Sequence, residues 1–491
     1  MIDNSPKRVL NNTLIRNTER LILSKKIQYF SLRISDLPGR WLHFTIPVSR
    51  FFSNGKLQKS FYTDGVAFDG SSFEGFKSIE QSDTIALPDL ESAVIDPISA
   101  TPTLSIACTL REPETMAHYW RDPRAVALRA EAFLQKTGFA DTAYFGPEVE
   151  FFIFDSVSWK IREGYSQMNV VSREGGIGEY EDAGDIYRVR TQEGYFVMPP
   201  YDCYFDMREE MVRQLRAVGM EIERDTHERA TAGSAEIDVK YEPLVDSADK
   251  MLLFKYIVKN VAHKYGKLVT FMPKPLYGHN GSGMHTHNSL WKKNKPIFYD
   301  EKGKYHHLSK LAMYYIGGLL RHTRALAAIT TPTVNSYKRL VPGFEAPTTI
   351  AFGYRNRSTC IRIPAYPATP SSRRVEFRIP DPSTNPYLCF SAMLMAGLDG
   401  IKNKIDPIQE GYGPLERSGY ASSEKGGMKV DFTPSSLQEA LNALEKDNAF
   451  LQEGDVFTKD FIKLWIDYKR EEIAKVAKHP TAPEFEQYFD C

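Results

Sequence analysis

A small strand-rich unit followed by a larger unit of mixed strands and helices is the architecture this sequence predicts, and three observations carry it. At 491 residues the chain exceeds what one ordinary hydrophobic core accommodates. Up to about residue 110 it reads as short strands punctuated by turn residues. From Arg121-Asp122-Pro123-Arg124, whose Asp and Pro suit a helix start, helices and strands follow one another to the end. The expected division is a loose polar arm at 1–17, a small domain at 18–117 and a large domain at 118–491.

In order, residues 27–51 place strand-like patterns on both sides of Leu37-Pro38-Gly39-Arg40, which reads as a β-hairpin. Turn chemistry follows at Ala67-Phe68-Asp69-Gly70-Ser71-Ser72, and a strand ends at Leu87-Pro88-Asp89. Residues 93–110, with prolines among β-branched residues, close the unit. In the large domain, helices are expected at 125–137, 206–218, 247–264, 306–330 and 385–402, with further charged-faced helices over 436–477. Strands are expected at 144–154, 221–225, 235–241, 359–363 and 373–379. Residues 156–190 form a polar excursion, 335–347 a loop broken by proline and glycine, 403–432 irregular structure, and 485–491 a short aromatic tail.

Composition excludes some functions. Lys+Arg and Asp+Glu both number 62, so the formal net charge is zero and gives no electrostatic footprint for nucleic acid or an anionic membrane. Cys108, Cys203, Cys360, Cys389 and Cys491 lack CxxC spacing, which argues for a reducing compartment and against a disulfide framework or a zinc site. With no apolar signal core and no uncharged apolar run near ~18 residues, a soluble cytoplasmic protein is expected.

The most informative stretch is 271–291. Asn280-Gly281-Ser282-Gly283 lets a ligand approach the backbone, and His285, His287 and Ser289 then share one face of a strand. A lone His-x-His is short enough to arise by chance, and a half-exposed strand accounts for it equally well. Other strands tip the balance. Glu148 and Glu150, Glu236 and Asp238, and Arg374, Glu376 and Arg378 also stand at every second position, and His227-Glu228 adds an acid at a strand end. Any one set suits the solvent face of a sheet. Yet Glu148 and Glu150 run into Phe-Phe-Ile-Phe, too apolar for an edge in water. Side-by-side carboxylates also need neutralising, and oxygen ligands with a single imidazole suit Mg²⁺ or Mn²⁺ better than Zn²⁺. Flanking arginines offer bidentate donors for phosphate or carboxylate. Neither a P-loop nor a Rossmann glycine motif is present, so a nucleotide would bind through metals and arginines. The 335–347 loop, with Lys338, Arg339 and Glu345, reads either as a charged surface loop or as a lid.

Together these residues resemble a known family. Phe68-Asp-Gly-Ser-Ser72, Phe145-Gly-Pro-Glu-Val-Glu150, Phe271-Met-Pro-Lys-Pro275, Asn280-Gly-Ser-Gly-Met-His285, Asn335-Ser-Tyr-Lys-Arg339, Arg355-Asn-Arg357 and Asn385-Pro-Tyr387 are similar to motifs of bacterial type I glutamine synthetases, in the family's order. The resemblance implies an α+β fold, with a small β-grasp-like N-terminal domain and a large catalytic domain built on a curved, mainly antiparallel sheet. It implies glutamine formation from L-glutamate, ammonium and ATP through γ-glutamyl phosphate, with two or more Mg²⁺ or Mn²⁺ ions per site. It also implies a dodecamer of two stacked hexameric rings, with active sites between subunits.

Motif by motif, the resemblance assigns one metal to Glu150, Glu228 and Glu236, and a second to Glu148, Glu376 and His285. It assigns ATP to Glu223, Tyr241, His287, Ser289, Arg357 and Arg362, and glutamate to Asn280, Gly281, Arg339 and Arg378. Asp69 from a neighbouring subunit and Tyr195 would form the ammonium pocket with Glu228, and Glu345 would close over the intermediate. Such residues suit the reaction. Metals and an arginine neutralise the transferring phosphoryl group, a lid protects a water-sensitive acyl phosphate, and a carboxylate takes a proton from ammonium. Thr226, Arg229, Ser234, His279 and Ser371 depart from the family's usual residues, and none is an assigned metal ligand.

Two rival readings remain. A γ-glutamyl ligase for a polyamine-like amine would have no use for the small cationic pocket of Asp69 and Tyr195. A non-catalytic relative would have no reason to keep all the metal ligands. The resemblance implies that many relatives are regulated by attaching AMP to a tyrosine after the segment matching Lys402-Asn-Lys-Ile405. Here that position falls by spacing on Glu416, with Tyr412 and Tyr420 lying nearby. Although 156–190 resembles the insertion that accompanies such regulation, the regulation is expected to be absent, since modification needs its acceptor hydroxyl.

Overall fold

The computed structural model describes residues 11–73, 82–184, 186–365, 369–416 and 431–491. Tyr420 lies outside them. The chain opens with a helix, Asn12–Ser24, capped by the Asn11 side chain, which accepts from the Leu14 N–H at 2.8 Å. Ile22 is buried and Leu14, Ile15 and Leu21 pack on the core, so residues 12–17 belong to an amphipathic helix rather than to a loose arm.

The expected hairpin forms as strands Tyr29–Ser35 and Trp41–Pro47. Their sheet runs in the order Trp41–Pro47, Tyr29–Ser35, Thr103–Arg111, Asp83–Pro88, Val66–Asp69, with Val94–Ile95 also pairing with Thr103–Arg111. Alternation buries Phe30, Leu32 and Ile34 beside Leu104, Ile106 and Cys108. Tyr29–Ser35 lies parallel to Thr103–Arg111, and the other pairings are antiparallel.

The larger sheet has ten strands and a main path of seven: Ile222–His227, Ser234–Val239, Thr142–Phe154, Met284–Lys292, Val375–Phe377, Thr359–Ile363 and Thr349–Tyr354. Along this path only the last pair is parallel. One face of Met284–Lys292 is turned into the core: Met284, Thr286, Asn288 and Leu290 are all buried. Against the strands pack helices Pro123–Thr137 and Leu244–Lys264, and Pro386–Lys402 packs on these helices with Phe390 stacked on Phe145. This last helix is buried almost all round and lies close against Lys310–Arg321, where a Cβ on Gly400 would meet the backbone of Gly318.

Other regions also differ from expectation, among them the 335–347 loop, which holds a short helix at Ser336–Arg339. The helix expected over 306–330 is two helices, Lys310–Arg321 and Thr323–Thr330, divided at His322, whose ring nitrogens bond Asp447 at 2.8 Å and Asp399 at 3.0 Å. The excursion at 156–190 contains a second hairpin, Ser156–Arg162 with Tyr165–Val171. The aromatic tail is partly helical, Ala482–Tyr488, started by Pro483 and by a capping box between Thr481 and Glu484. Among the described residues no helix is long and apolar enough to cross a membrane.

Candidate active site

The register of the large sheet gathers charges that are scattered in sequence. Glu148 and Glu150 share one face of Thr142–Phe154. On one side, Asp238 stands opposite Glu148 and Glu236 opposite Glu150. On the other, His285 stands opposite Glu148 and His287 opposite Gly146. Glu376 then faces His287, and Arg362 faces Glu376. The result is a file of carboxylates and imidazoles across five strands, ending in arginines.

Each acid meets a specific partner. Glu148 lies 2.8 Å from His287 Nε2 and 3.4 Å from His285 Nδ1. Glu150 accepts from the Gly283 N–H at 2.8 Å. Glu376, fully buried, is 2.6 Å from Arg378 and 2.5 Å from Arg362. Arg224 approaches Asp238 at 2.7 Å and Glu236 at 3.7 Å.

Two groups bring their ligand atoms within 4.8 Å of one another: Glu148, His285 and Glu376, and Glu148, Glu236 and Asp238. The first is the set the sequence assigned to one metal. The other assigned set, Glu150, Glu228 and Glu236, is not drawn together so tightly. Glu236 instead meets Asp238, although Glu228 still shares a hydrogen bond with it.

Electrostatics divides the acids. Burial pushes Glu148 up, but His287 and His285 outweigh it and hold its carboxyl well below the usual range. Burial likewise raises Glu376, yet Arg378 and Arg362 bring it below its ordinary value. Glu150 is pushed up to about 7, by burial and then by Glu228. Burial and Asp238 push Glu236 well above the carboxylate range. His285 is pushed down to about 4 by burial and Arg378, so its ring is neutral near pH 7 and can act as a ligand. Asp238 Oδ1 is buried with no hydrogen-bond partner.

Above this file lies a cavity of about 170 Å³. Glu148, Glu150, Glu236 and His285 contribute to its floor, and Arg339, Arg357, Arg362 and Arg378 also line it. Asn280, Gly281, Tyr195, Glu228 and Glu345 complete the sequence-assigned residues it collects. Arg339 is fixed by donating to the carbonyl oxygens of Ile379 at 2.8 Å and Arg378 at 3.2 Å. The 335–347 loop holds Glu345 at the cavity wall, where Arg229 Nη1 donates to it at 2.8 Å.

A second cavity, about 220 Å³, opens beside it and shares Glu148 and Arg224. It collects Glu223, Tyr241 and His287, and Tyr241 sits edge-on to Tyr144 at 5.2 Å between ring centres. Three assigned residues line neither cavity, the buried Glu376 among them. Ser289 accepts from the Trp291 indole N–H at 3.1 Å. Asp69 ends an exposed strand, its Oδ1 accepting from the Ser71 N–H at 2.8 Å and hydroxyl at 2.6 Å, which lowers its carboxyl.

Sequence reasoning passed over four residues here. Asp238 alternates with Glu236 in the sequence without an assigned role, and Arg374, whose Nε donates to His287 Nδ1 at 3.2 Å, carries a similar signal beside Glu376. Arg224 had none. A β-bulge between Ile222 and Arg224 interrupts alternation, so that successive residues Glu223 and Arg224 both line the second cavity. Glu174 lies far away in sequence, yet it is buried against His227 Nε2 at 3.0 Å, while His227 Nδ1 meets the Glu228 carbonyl at 2.7 Å. Of the departures, Ser234 lines the first cavity, Lys274 Nζ donates to the His279 carbonyl, and Ser371 lies in the short turn Pro370–Ser372.

Known proteins share both domains. Residues 26–113 match the model for "Glutamine synthetase, beta-Grasp domain", and 120–488 match "Glutamine synthetase, catalytic domain". Glutamine synthetase of Frankia alni is 48% identical over 475 residues, covering 96% of this chain and 98% of its own. A glutamine synthetase structure from Plasmodium falciparum superposes with a TM-score of 0.86 at 30% identity, covering 98% of this chain and 99% of that one. A GmaS/ADP complex does so at 0.80 and 27% identity, covering 96% and 99%.

Proposed function

Because the chain belongs to the glutamine synthetase family and is a glutamate–ammonia ligase that makes glutamine, we propose that its two adjoining cavities hold ATP and glutamate, with divalent ions at their junction. Glu148 carries this reading: its carboxylate belongs to both acidic groups and lines both cavities. A solved relative in complex with ADP supports nucleotide binding by this fold.

The residues fit Mg²⁺ or Mn²⁺. The donors are carboxylate oxygens and one imidazole, and Asp238 Oδ1 is buried without a partner. Glu150, Glu228 and Glu236 would hold one ion, with Asp238 at hand, and Glu148, Glu376 and His285 a second. When bound, such ions neutralise charge on the transferring phosphoryl group.

The chain's own residues do the rest. Tyr241 and Glu223 bind the nucleoside end in the second cavity, with His287 and Ser289 on the strand that leads toward the phosphates. Arg357 and Arg362 face the γ-phosphoryl group, and Arg339, Arg378, Asn280 and Gly281 hold glutamate. An oxygen of the γ-carboxylate attacks the γ-phosphorus, and the bond to the bridging oxygen of ADP breaks. Ammonia then attacks the acyl carbon of γ-glutamyl phosphate, and phosphate leaves with the bonding pair. Tyr195 and Glu228 bind ammonium beside that carbon. Asp69 lines neither of these two cavities, and it serves as proton acceptor in the site of a neighbouring copy, within stacked hexameric rings. Glu345 shields the intermediate from water.

An assay with ATP, glutamate and Mg²⁺, offering ammonium or polyamines as acceptor, tests the reading. Glutamine formation with ammonium, abolished by chelator, is expected. Preferential ligation of a polyamine would overturn it.

A further inference from the structure

Glu345 is already engaged in the structure, by a residue to which the reaction assigns no part. Arg229 Nη1 donates to its Oε1 at 2.8 Å, and Asn280 Nδ2 donates to its Oε2 at 3.3 Å. Glu345 has φ of 59°, a left-handed conformation that costs a non-glycine residue energy, so the loop tip needs contacts to stay there. Phe344, next to it, carries the Lys274 ammonium 3.9 Å above its ring centre. At its other end Arg229 is tied to the site, its backbone N–H donating to Glu228 Oε2 at 3.0 Å. One residue therefore spans the cavity mouth from the Glu228 turn to the loop tip. Both partners are nearly half exposed, 47% and 44%, and such a pair does little for global stability. Its consequence is local, in the position it selects for the loop.

We propose that Arg229 is a positioning residue that latches the 335–347 loop over the first cavity through Glu345, and so sets how much acyl phosphate is lost to water. The inference rests on the ligase reading above. With the latch open, water adds to the acyl carbon, the carbon–oxygen bond to phosphate breaks, and glutamate and phosphate are released. ATP is then consumed without amide formation. Because the paired charges face solvent, salt screens the latch.

ADP and glutamine measured together at limiting ammonium, over a range of KCl, test this. Arg229→Ala is expected to raise the ADP formed in excess of glutamine, per glutamine, about fivefold, the most that a pair of this exposure carries, with the KM for ATP unchanged. Arg229→Lys should restore most of the coupling, and Arg229→Gln should behave like alanine. The wild-type ratio should climb with KCl, while the Arg229→Ala ratio starts high and stays flat. Equal ratios in wild type and Arg229→Ala, or the same salt response in both, overturn the latch. No glutamine from the wild type overturns the ligase reading and the latch with it.

Discussion

Glu376 stands at 2.6 Å from Arg378 and 2.5 Å from Arg362, wholly out of solvent. Removing it would take away a proposed metal ligand and leave two cations without their shared anion, whereas removing His285 would take away a proposed ligand and a neutral partner of Glu148. Glu376→Ala and His285→Ala should each lower phosphoryl transfer by about 10²-fold or more. Glu376→Ala should also lose ~3–5 kcal/mol of stability, the cost of breaking a buried pair, while His285→Ala unfolds near the wild-type midpoint. ADP formation at ordinary Mg²⁺ and thermal unfolding check both, and normal activity in either variant sinks the metal assignment. The raised acids give a pH prediction. A carboxyl raised by folding favours the native state in its protonated form, so its contribution is full below its ordinary value of 4.5 and fades as pH rises through about 7 for Glu150. Metal binding needs the deprotonated form and reverses the loss. Saturating Mg²⁺ should therefore raise Tm more at about pH 7.5 than at about pH 5.5. An equal gain at both values would count against these acids as ligands.

Helix Pro386–Lys402 shows how an element fixes its neighbours. Asn385 caps it, accepting from the Tyr387 N–H at 3.1 Å, and Pro386 occupies its first turn. The same Asn385 amide donates to the carbonyl oxygens of Asp36 at 3.1 Å and Leu37 at 3.2 Å, so one side chain starts the helix and joins it to the N-terminal hairpin. Asn385→Ala removes the cap and the amide donor to the Leu37 carbonyl, which should cost ~1–3 kcal/mol. An unchanged midpoint in urea would show that water replaces these bonds. At His322 a different device operates. The imidazole bridges Asp399 and Asp447, and the helix is interrupted where the ring reaches them.

At the scale of the whole molecule, Asp69 is exposed on its own chain and lines neither cavity, while Arg357 lines the first. If a neighbour supplies Asp69, mixing Asp69→Ala with Arg357→Ala subunits should restore some activity, because a fraction of mixed sites carries both residues intact. No rescue in well-assembled hybrids argues for sites within single chains. Attachment of AMP is expected to be absent: Glu416 occupies the modified position, close enough to accept from the Tyr305 hydroxyl at 3.4 Å. Intact-mass measurement on protein from nitrogen-rich cells checks this, and an AMP adduct mapped to Tyr412 or Tyr420 would refute it.

Short-range pattern determined much of this chain. Period-two charges marked strands 142–154, 234–239, 284–292 and 375–377, and Asp122-Pro123 and Asn385-Pro386 marked helix starts, because alternation and capping depend on near neighbours. The sequence motifs likewise named most residues that line the two cavities. Tertiary structure decided which of them meet. Register alone sets Glu376 opposite His287 and Asp238 opposite Glu148. The bulge at Ile222 turns Arg224 into the site against simple alternation. Glu174 under His227 and Arg229 against Glu345 pair residues 53 and 116 positions apart. No local signal encodes such contacts, since they form only when sheet, turn and loop are already packed.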